Sequence, residues 1–432
     1  MSRREIGIGL LGLGTIAGQV AQVIQERGPA LAAQSGILPV LRKVKVLPLD
    51  LERPQARALG SGIVTTDDGE FWSAPGVDIV IELIGGEHPA LEYQEKALRA
   101  GKHVVTANKE VIAKHGMSLL RLAGERGLHL RYEAAVGGGM PLIAPFQRDL
   151  VANRINGIFA IINGTTNYIL SRMSQEGVDF AEVLAQAQKL GYAEATPKND
   201  IEGIDAAYKL AIMATLAFRS EVRPEQIFRE GIARLSARDF QYARELGYAI
   251  KLLAIAKHSE AGIEVRVHPA FVPGDGFLAQ INGVFNAVLV DGDLTGQVSF
   301  SGKGAGPLPT SSAVVADVMA IGHDTVAGAV PPVFPENPSC CVIPMAEVVT
   351  RYYLRLSVDD QPGMLAQIAR TLGDHSISIA SAIQKQAGTR AQVAEIVIVT
   401  HPAREQEMQR ALEELQDLSG VREIGNFVRI ED

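Results

Sequence analysis

At 432 residues the chain exceeds what one hydrophobic core usually supports, and its 47% hydrophobic and 21% charged residues fit a two- or three-domain α/β enzyme rather than a disordered or fibrous chain. A formal net charge of −8 gives no attraction toward phosphate backbones or anionic lipid, so neither nucleic acid nor membrane is expected as a partner. The two cysteines, Cys340 and Cys341, are adjacent and form no disulfide framework; residues 1–8 lack a cleavage site, and no window nears the roughly 20 apolar residues of a membrane helix, so a cytoplasmic location is expected.

Along the chain, residues 6–11 read as a buried strand, 16–25 as a helix, 44–49 and 77–84 as strands, 90–100 as a helix, and 103–106 and 128–132 as strands. That alternation predicts a doubly wound parallel sheet of Rossmann type over residues 1–132. Residues 25–41, with Gly28, Pro29, Gly36 and Pro39, interrupt the rhythm and read as an insertion.

Gly12-Leu13-Gly14-Thr15-Ile16-Ala17 follows the first strand and opens the first helix. In that context the first glycine permits a tight turn, the second admits a pyrophosphate, and the helix N-terminus offers unpaired N–H groups. Asp50, at the end of the second predicted strand, would suit the ribose hydroxyls of NAD, whereas Arg53 and Arg57 would suit the 2′-phosphate of NADP, and both readings stay open.

From Glu133 the texture becomes α+β. A glycine cluster at 137–139 is followed by an alternating strand at 158–162, helical stretches at 180–190, 204–218 and 239–258, strands at 263–268 and 286–290, and a helix at 312–321. In the helical stretch at 204–218, Asp205 and Lys209 are four residues apart and share one face, among neighbours that are apolar on nearly all sides. Charges retained on such a helix point to function or pairing, and partial burial would ease release of a proton by Lys209.

The runs Thr106-Ala107-Asn108-Lys109-Glu110, Asn163-Gly164-Thr165-Thr166-Asn167-Tyr168 and Gly191-Tyr192-Ala193-Glu194 through Asp200, Asp205 and Lys209, with the glycine loop and Gly302-Lys303-Gly304-Ala305-Gly306, resemble the homoserine dehydrogenase family over nearly the whole chain. The resemblance implies NAD(P)-dependent interconversion of aspartate semialdehyde and homoserine, on the route to threonine, methionine and isoleucine. It assigns Lys209 as proton donor with Asp205 beside it, Lys109 near nicotinamide and substrate, and Glu194 and Asp200 to the substrate ammonium. It adds Gly85 and Gly306 to a cofactor site of Gly12, Leu13, Gly14, Thr15, Ile16, Asp50 and Lys109. It also places a sodium ion at Glu133, Val136, Gly138 and Met140, through one carboxylate and several carbonyls. Part of 302–322 would return to the nucleotide domain, and the catalytic domain, 133–329, would also dimerise.

Five prolines between Pro331 and Pro344 read as a linker over 330–348, tethering a separable last domain. Residues 349–432 give the order β-α-β-β-α-β, which is ferredoxin-like, and Pro362-Gly363 before its first helix resembles an ACT-type regulatory module. That resemblance implies an amino-acid effector, threonine first, in a homodimer or homotetramer; a purely dimerising module is the alternative. No kinase portion precedes the glycine loop, so a bifunctional fusion is not expected. A related acylating semialdehyde dehydrogenase would need a nucleophilic cysteine, which Cys340 and Cys341 in the linker do not supply. A silent nucleotide and amino-acid sensor would have lost Lys109, Glu194, Asp205 or Lys209, and all four are present.

Overall fold

Six consecutive buried residues, Ile6 to Leu11, make β1 (Arg4–Leu11) the centre of a sheet covered on both faces. The computed structural model describes residues 4–331, 341–386 and 393–431. β2 (Ile37–Lys45), β3 (Val64–Thr65), β4 (Ile79–Glu82), β5 (His103–Thr106) and β6 (Leu130–Arg131) complete a parallel sheet in the order β3-β2-β1-β4-β5-β6. The order reverses beside β1, where doubly wound folds open a crevice at the strand C-termini. The chain divides into two compact units, residues 1–155, 208–224 and 291–339, and residues 156–207, 225–290 and 340–432.

The first unit corrects the reading of residues 25–41. They are not an insertion but the second half of the Thr15–Ser35 helix and the start of β2. Pro29 is tolerated inside that helix because it and Gln25 both lie on the solvent side, where the carbonyl deprived of a donor can meet water. Gly36, at φ +76° with its N–H on the Ala32 carbonyl, ends the helix. Asp50 accordingly does not end β2 but sits five residues beyond it, in the short turn of helix Pro48–Asp50. The Pro307–Ala327 helix adds Val314, Val318 and Ile321 to the core of Ile6, Ile8, Leu10, Val20, Ile24 and Ile79.

In the second unit β7 (Ile155–Ile161), β8 (Phe228–Arg229), β9 (Tyr248–Ser259), β10 (Gly262–Pro273) and β11 (Phe285–Gly292) are followed in the chain by β12 (Gly296–Lys303). The helix expected over 239–258 is confined to Ala237–Glu245. Gly247, at φ +83°, breaks it, and the apolar residues beyond pair as β9 with β10 along a twelve-residue antiparallel register. A run apolar on both faces reads equally as buried helix or buried strand, and here the long hairpin decides.

β13 (Val349–Asp359), β14 (Ile379–Gln386), β15 (Val393–Thr400), the short β16 (Ala403–Arg404) and β17 (Val421–Ile430) follow, with helices Met364–Asp374 and Glu405–Asp417. The sheet path runs β11-β7-β9-β10-β17-β13-β15-β14, so the ferredoxin-like module continues the sheet that β9 and β10 begin. The expectation of a separable, merely tethered domain is thereby corrected. β17 pairs with β10 at Arg429–Ala270 and Ile430–Phe271, and the Glu431 N–H reaches the Phe271 carbonyl at 2.9 Å. Buried Arg266 on β10 donates to Glu431 (2.6 Å) and Glu264 (2.5 Å). Asp239, fully buried on the Ala237–Glu245 helix, accepts from Arg355 (2.9 Å), Tyr353 (3.2 Å) and Asn426 (2.8 Å) of the module. Of the proposed linker, Pro332, Pro335 and Pro338 lie outside the described residues; its far end is fixed by Ile263 N–H to Cys341 O (2.9 Å) and Ile343 N–H to Ile263 O (2.8 Å). No helix of the described residues is long and apolar enough to cross a membrane.

Candidate active site

Between β1 and the Thr15–Ser35 helix, Gly12 takes φ +91° and packs so that a Cβ would lie 3.3 Å from the Leu83 carbonyl. Leu13 is buried, Gly14 is the N-cap, Thr15 is the first helical residue and Ile16 packs on the core. Gly14 has ordinary dihedrals and no heavy atom within 4 Å of an added Cβ, and no side chain caps the helix there. Free N–H groups, a positive helix end and open approach fit a pyrophosphate. Gly14→Val is therefore expected to fold normally and to weaken nicotinamide-cofactor binding at least about tenfold, because the side chain occupies the approach to the backbone; fluorescence titration with unchanged affinity would remove the loop from the site. Asp50 is buried and salt-bridged to Arg53 Nε at 2.6 Å, and Arg53 Nη1 reaches the Leu13 carbonyl at 3.4 Å.

At the C-terminal ends of β4 and β5 lies a buried polar network that sequence reasoning passed over. The Glu82 carboxylate, fully buried, accepts from Thr106 Oγ1 (2.8 Å), Gln94 Nε2 (2.8 Å) and the Ile84 N–H (2.7 Å). Asn108 caps the Lys109–Glu125 helix through the Val111 N–H (3.1 Å) and donates to the Gly86 carbonyl (2.7 Å), next to Gly85 at φ +84°. Lys109 thus starts a helix whose first turn is anchored to the glycine turn after β4. A lone carboxylate closing the apolar run Ile79-Val80-Ile81-Glu82 was the available signal. Glu110, beside Lys109, accepts from the hydroxyl of Tyr208, beside Lys209, at 3.4 Å, and the Lys114 ammonium lies 5.7 Å from the Tyr208 ring centre. The residues flanking the two candidate lysines are therefore in contact.

The second glycine cluster is a close-packing device. A Cβ on Gly138 (φ +57°) would fall 2.4 Å from the Gly304 carbonyl and one on Gly139 2.8 Å from Pro309, so the 137–139 and 302–306 runs pack backbone on backbone, just before Gly306 (φ +117°) caps the Pro307–Ala327 helix. Val136 and Met140 are buried beside them. The Glu133 carboxylate accepts the N–H groups of Leu142 (2.6 Å), Ile143 (2.8 Å) and Ala144 (2.8 Å), while its own N–H reaches Asp317, whose carboxyl burial pushes up to about 7.

In the second unit Asn163 caps the Gly164–Glu176 helix through the Thr166 N–H (2.9 Å) and donates to both Asp200 (2.7 Å) and Asp205 (2.9 Å). Asn163 was visible only as part of a motif; that it bridges two carboxylates 37 and 42 residues away was not. Asp200 lies on the short Lys198–Ile201 helix. Asp205 and Lys209, both buried, are one turn apart on the Ile204–Phe218 helix. Glu194 is exposed, on a segment held by Thr165 Oγ1 to the Tyr192 carbonyl (2.8 Å) and by the Tyr168 and Tyr192 rings, 4.7 Å apart.

With that geometry in place, the family models match along the chain: the homoserine dehydrogenase NAD-binding domain over residues 12–133, homoserine dehydrogenase over 141–319 and the ACT domain over 352–420. A homoserine dehydrogenase of Synechocystis is 43% identical over 98% of this chain and 99% of its own, and that of Pseudomonas aeruginosa 40% over 99% and 98%. The chain belongs to the homoserine dehydrogenase family. A crystal structure of a homoserine dehydrogenase from Thiobacillus denitrificans superposes with TM-score 0.92 at 41% identity, covering 99% of both chains. The enzyme is accordingly an NAD(P)-dependent oxidoreductase acting on the CH–OH group of homoserine, with a Rossmann-type nucleotide domain, a mixed-sheet catalytic part and an ACT domain. A hyperthermophilic archaeal homoserine dehydrogenase solved with NADPH matches at TM-score 0.63 and 25% identity over 74% of this chain.

Proposed function

We propose that Lys209 carries the proton in the interconversion of aspartate semialdehyde and homoserine, and that Asp205, Lys109, Glu194 and Asp200 complete the machinery. A nicotinamide held by the Gly12 to Ile16 loop would supply or accept the hydride of the substrate carbon. Lys209 gives the carbonyl oxygen its proton on reduction and takes it back on oxidation. Asp205, one turn away, orients and balances that ammonium; Lys109 lies near nicotinamide and substrate. Asp200 and Glu194 bind the substrate ammonium, for which carboxylates are the natural partners. The observation that carries this reading is the Asn163 bridge: an amide donating to both Asp200 and Asp205 holds the two carboxylates side by side. Asp200→Asn is expected to raise KM for homoserine at least about tenfold with KM for the cofactor unchanged. Unchanged homoserine kinetics would remove Asp200 from the substrate site.

The cofactor site of Gly12 to Ile16, Asp50, Gly85, Lys109 and Gly306 suits NAD through Asp50 and NADP through Arg53, and both are proposed as substrates. A sodium ion at the 133–140 loop would draw its ligands from main-chain carbonyls around Glu133, Val136, Gly138 and Met140, since hard cations take oxygen ligands and the Glu133 carboxylate is committed to three backbone donors. The enzyme serves threonine, methionine and isoleucine synthesis, and the ACT domain supports feedback by an amino acid, threonine first, in a homodimer or homotetramer of a cytoplasmic protein. Turnover titrated against sodium and against threonine checks both ligands: activation by the first and cooperative inhibition by the second are expected, and a flat response to either removes that ligand.

A further inference from the structure

One buried arginine is among the ties between the ACT domain and the catalytic part of its unit. Arg429 on β17 is buried. It donates through Nε and Nη2 to Glu405 of the same domain (2.9 and 2.6 Å) and through Nη1 to Glu230 (2.8 Å), outside that domain. Its guanidinium lies between the rings of Phe228 and Phe427, 4.9 and 5.2 Å from their centres. Glu230 follows β8, which pairs with β10, and its N–H bonds the Val267 carbonyl at 2.8 Å.

The next two residues lead to the substrate carboxylates. A Cβ on Gly231 would fall 2.6 Å from the Ile201 carbonyl and 3.1 Å from Glu202 Cα, so the backbone presses on the end of the Lys198–Ile201 helix. The Ile232 N–H, on a fully buried residue, donates to that same Ile201 carbonyl at 3.1 Å. Ile201 is adjacent to Asp200, and Gly203, at φ +74°, turns the chain from there into the helix that carries Asp205. A Cβ on Gly203 would meet Val267 at 2.9 Å, so this turn is clamped between β10 and the 230–232 segment.

We propose that Glu230 and Arg429 are positioning residues for homoserine: the buried ion pair fixes the 230–232 segment, which fixes the 200–205 turn and with it Asp200 and Asp205. The ACT domain is then a structural part of the substrate site, and any shift of β17 is delivered to the two carboxylates through this strut. The inference rests on Asp200 being a substrate ligand, as proposed above.

Four variants of the full-length enzyme test it. Glu230→Ala removes the half-buried partner while leaving the Arg429–Glu405 pair and the β10–β17 pairing in place. Glu264→Ala removes the comparable partner of Arg266 in the same sheet and leaves the Arg429–Glu230 pair in place. Asp200→Asn tests the underlying reading. Glu230→Ala is expected to raise KM for homoserine about tenfold with the cofactor KM unchanged, Glu230→Asp to recover part of it, and Glu264→Ala to lower Tm without moving KM. A Glu230→Ala enzyme with normal homoserine KM, while Asp200→Asn is impaired, would overturn the strut alone. An equal rise in Glu264→Ala would show general loosening and also overturn it. Normal kinetics in Asp200→Asn would end both the strut and the substrate reading.

Discussion

Replacing Lys209 with methionine is expected to lower kcat at least about a hundredfold, the usual scale for a positioned general acid, while cofactor binding stays close to normal. Methionine keeps the length and apolar stem of the side chain and removes only the ammonium, so the buried helix position is filled and the fold persists. Lys209 is buried on an almost wholly apolar helix, where a charge is retained only for pairing or chemistry. The loss should appear in kcat more than in the cofactor KM, because the proton is needed only as the carbonyl oxygen gains or loses charge. Turnover within about threefold of the wild type would exclude Lys209 as the proton carrier.

Truncation after Val348 is expected to destroy the protein's stability, with Tm lowered by about 10 °C or more, or with insoluble product. The cut removes β17 from the edge of β10, takes Glu431 from buried Arg266, unstacks Tyr353 from Phe271 (4.6 Å) and deprives Asp239 of Arg355 and Asn426. A buried guanidinium losing one of its two carboxylates, and a strand losing its neighbour, each cost several kcal/mol. A proline-rich connection alone would suggest the opposite, a catalytic part that survives on its own. Thermal melts of the truncated and intact enzyme separate the two: coincident melting would mean that the shared sheet contributes little.

Local signals were legible: the strand–glycine–helix of Gly12 to Thr15, the β-α-β-β-α-β order after Val349, and the one-turn spacing of Asp205 and Lys209. Pro29 masked a helix that runs another ten residues, because whether a proline is tolerated depends on which way its helix faces. The run at 248–256 is apolar apart from Lys251 and has no period that separates strand from helix; only pairing with β10 settles it. The joining of the last domain to the catalytic sheet rests on two paired positions of β10 and β17 and on the buried ion pairs beside them, and no local pattern encodes such contacts. The bridging amide of Asn163 and the buried carboxylate of Glu82 were present as letters but gained meaning only from partners far along the chain.

The most direct test of the account is the rate of nicotinamide absorbance change when purified enzyme is mixed with L-homoserine and either NAD⁺ or NADP⁺, wild type beside Lys209→Met. Homoserine-dependent reduction of at least one cofactor by the wild type, and a loss of at least about a hundredfold in the variant, are expected. No homoserine-dependent signal with either cofactor, or equal rates in the two proteins, would contradict it.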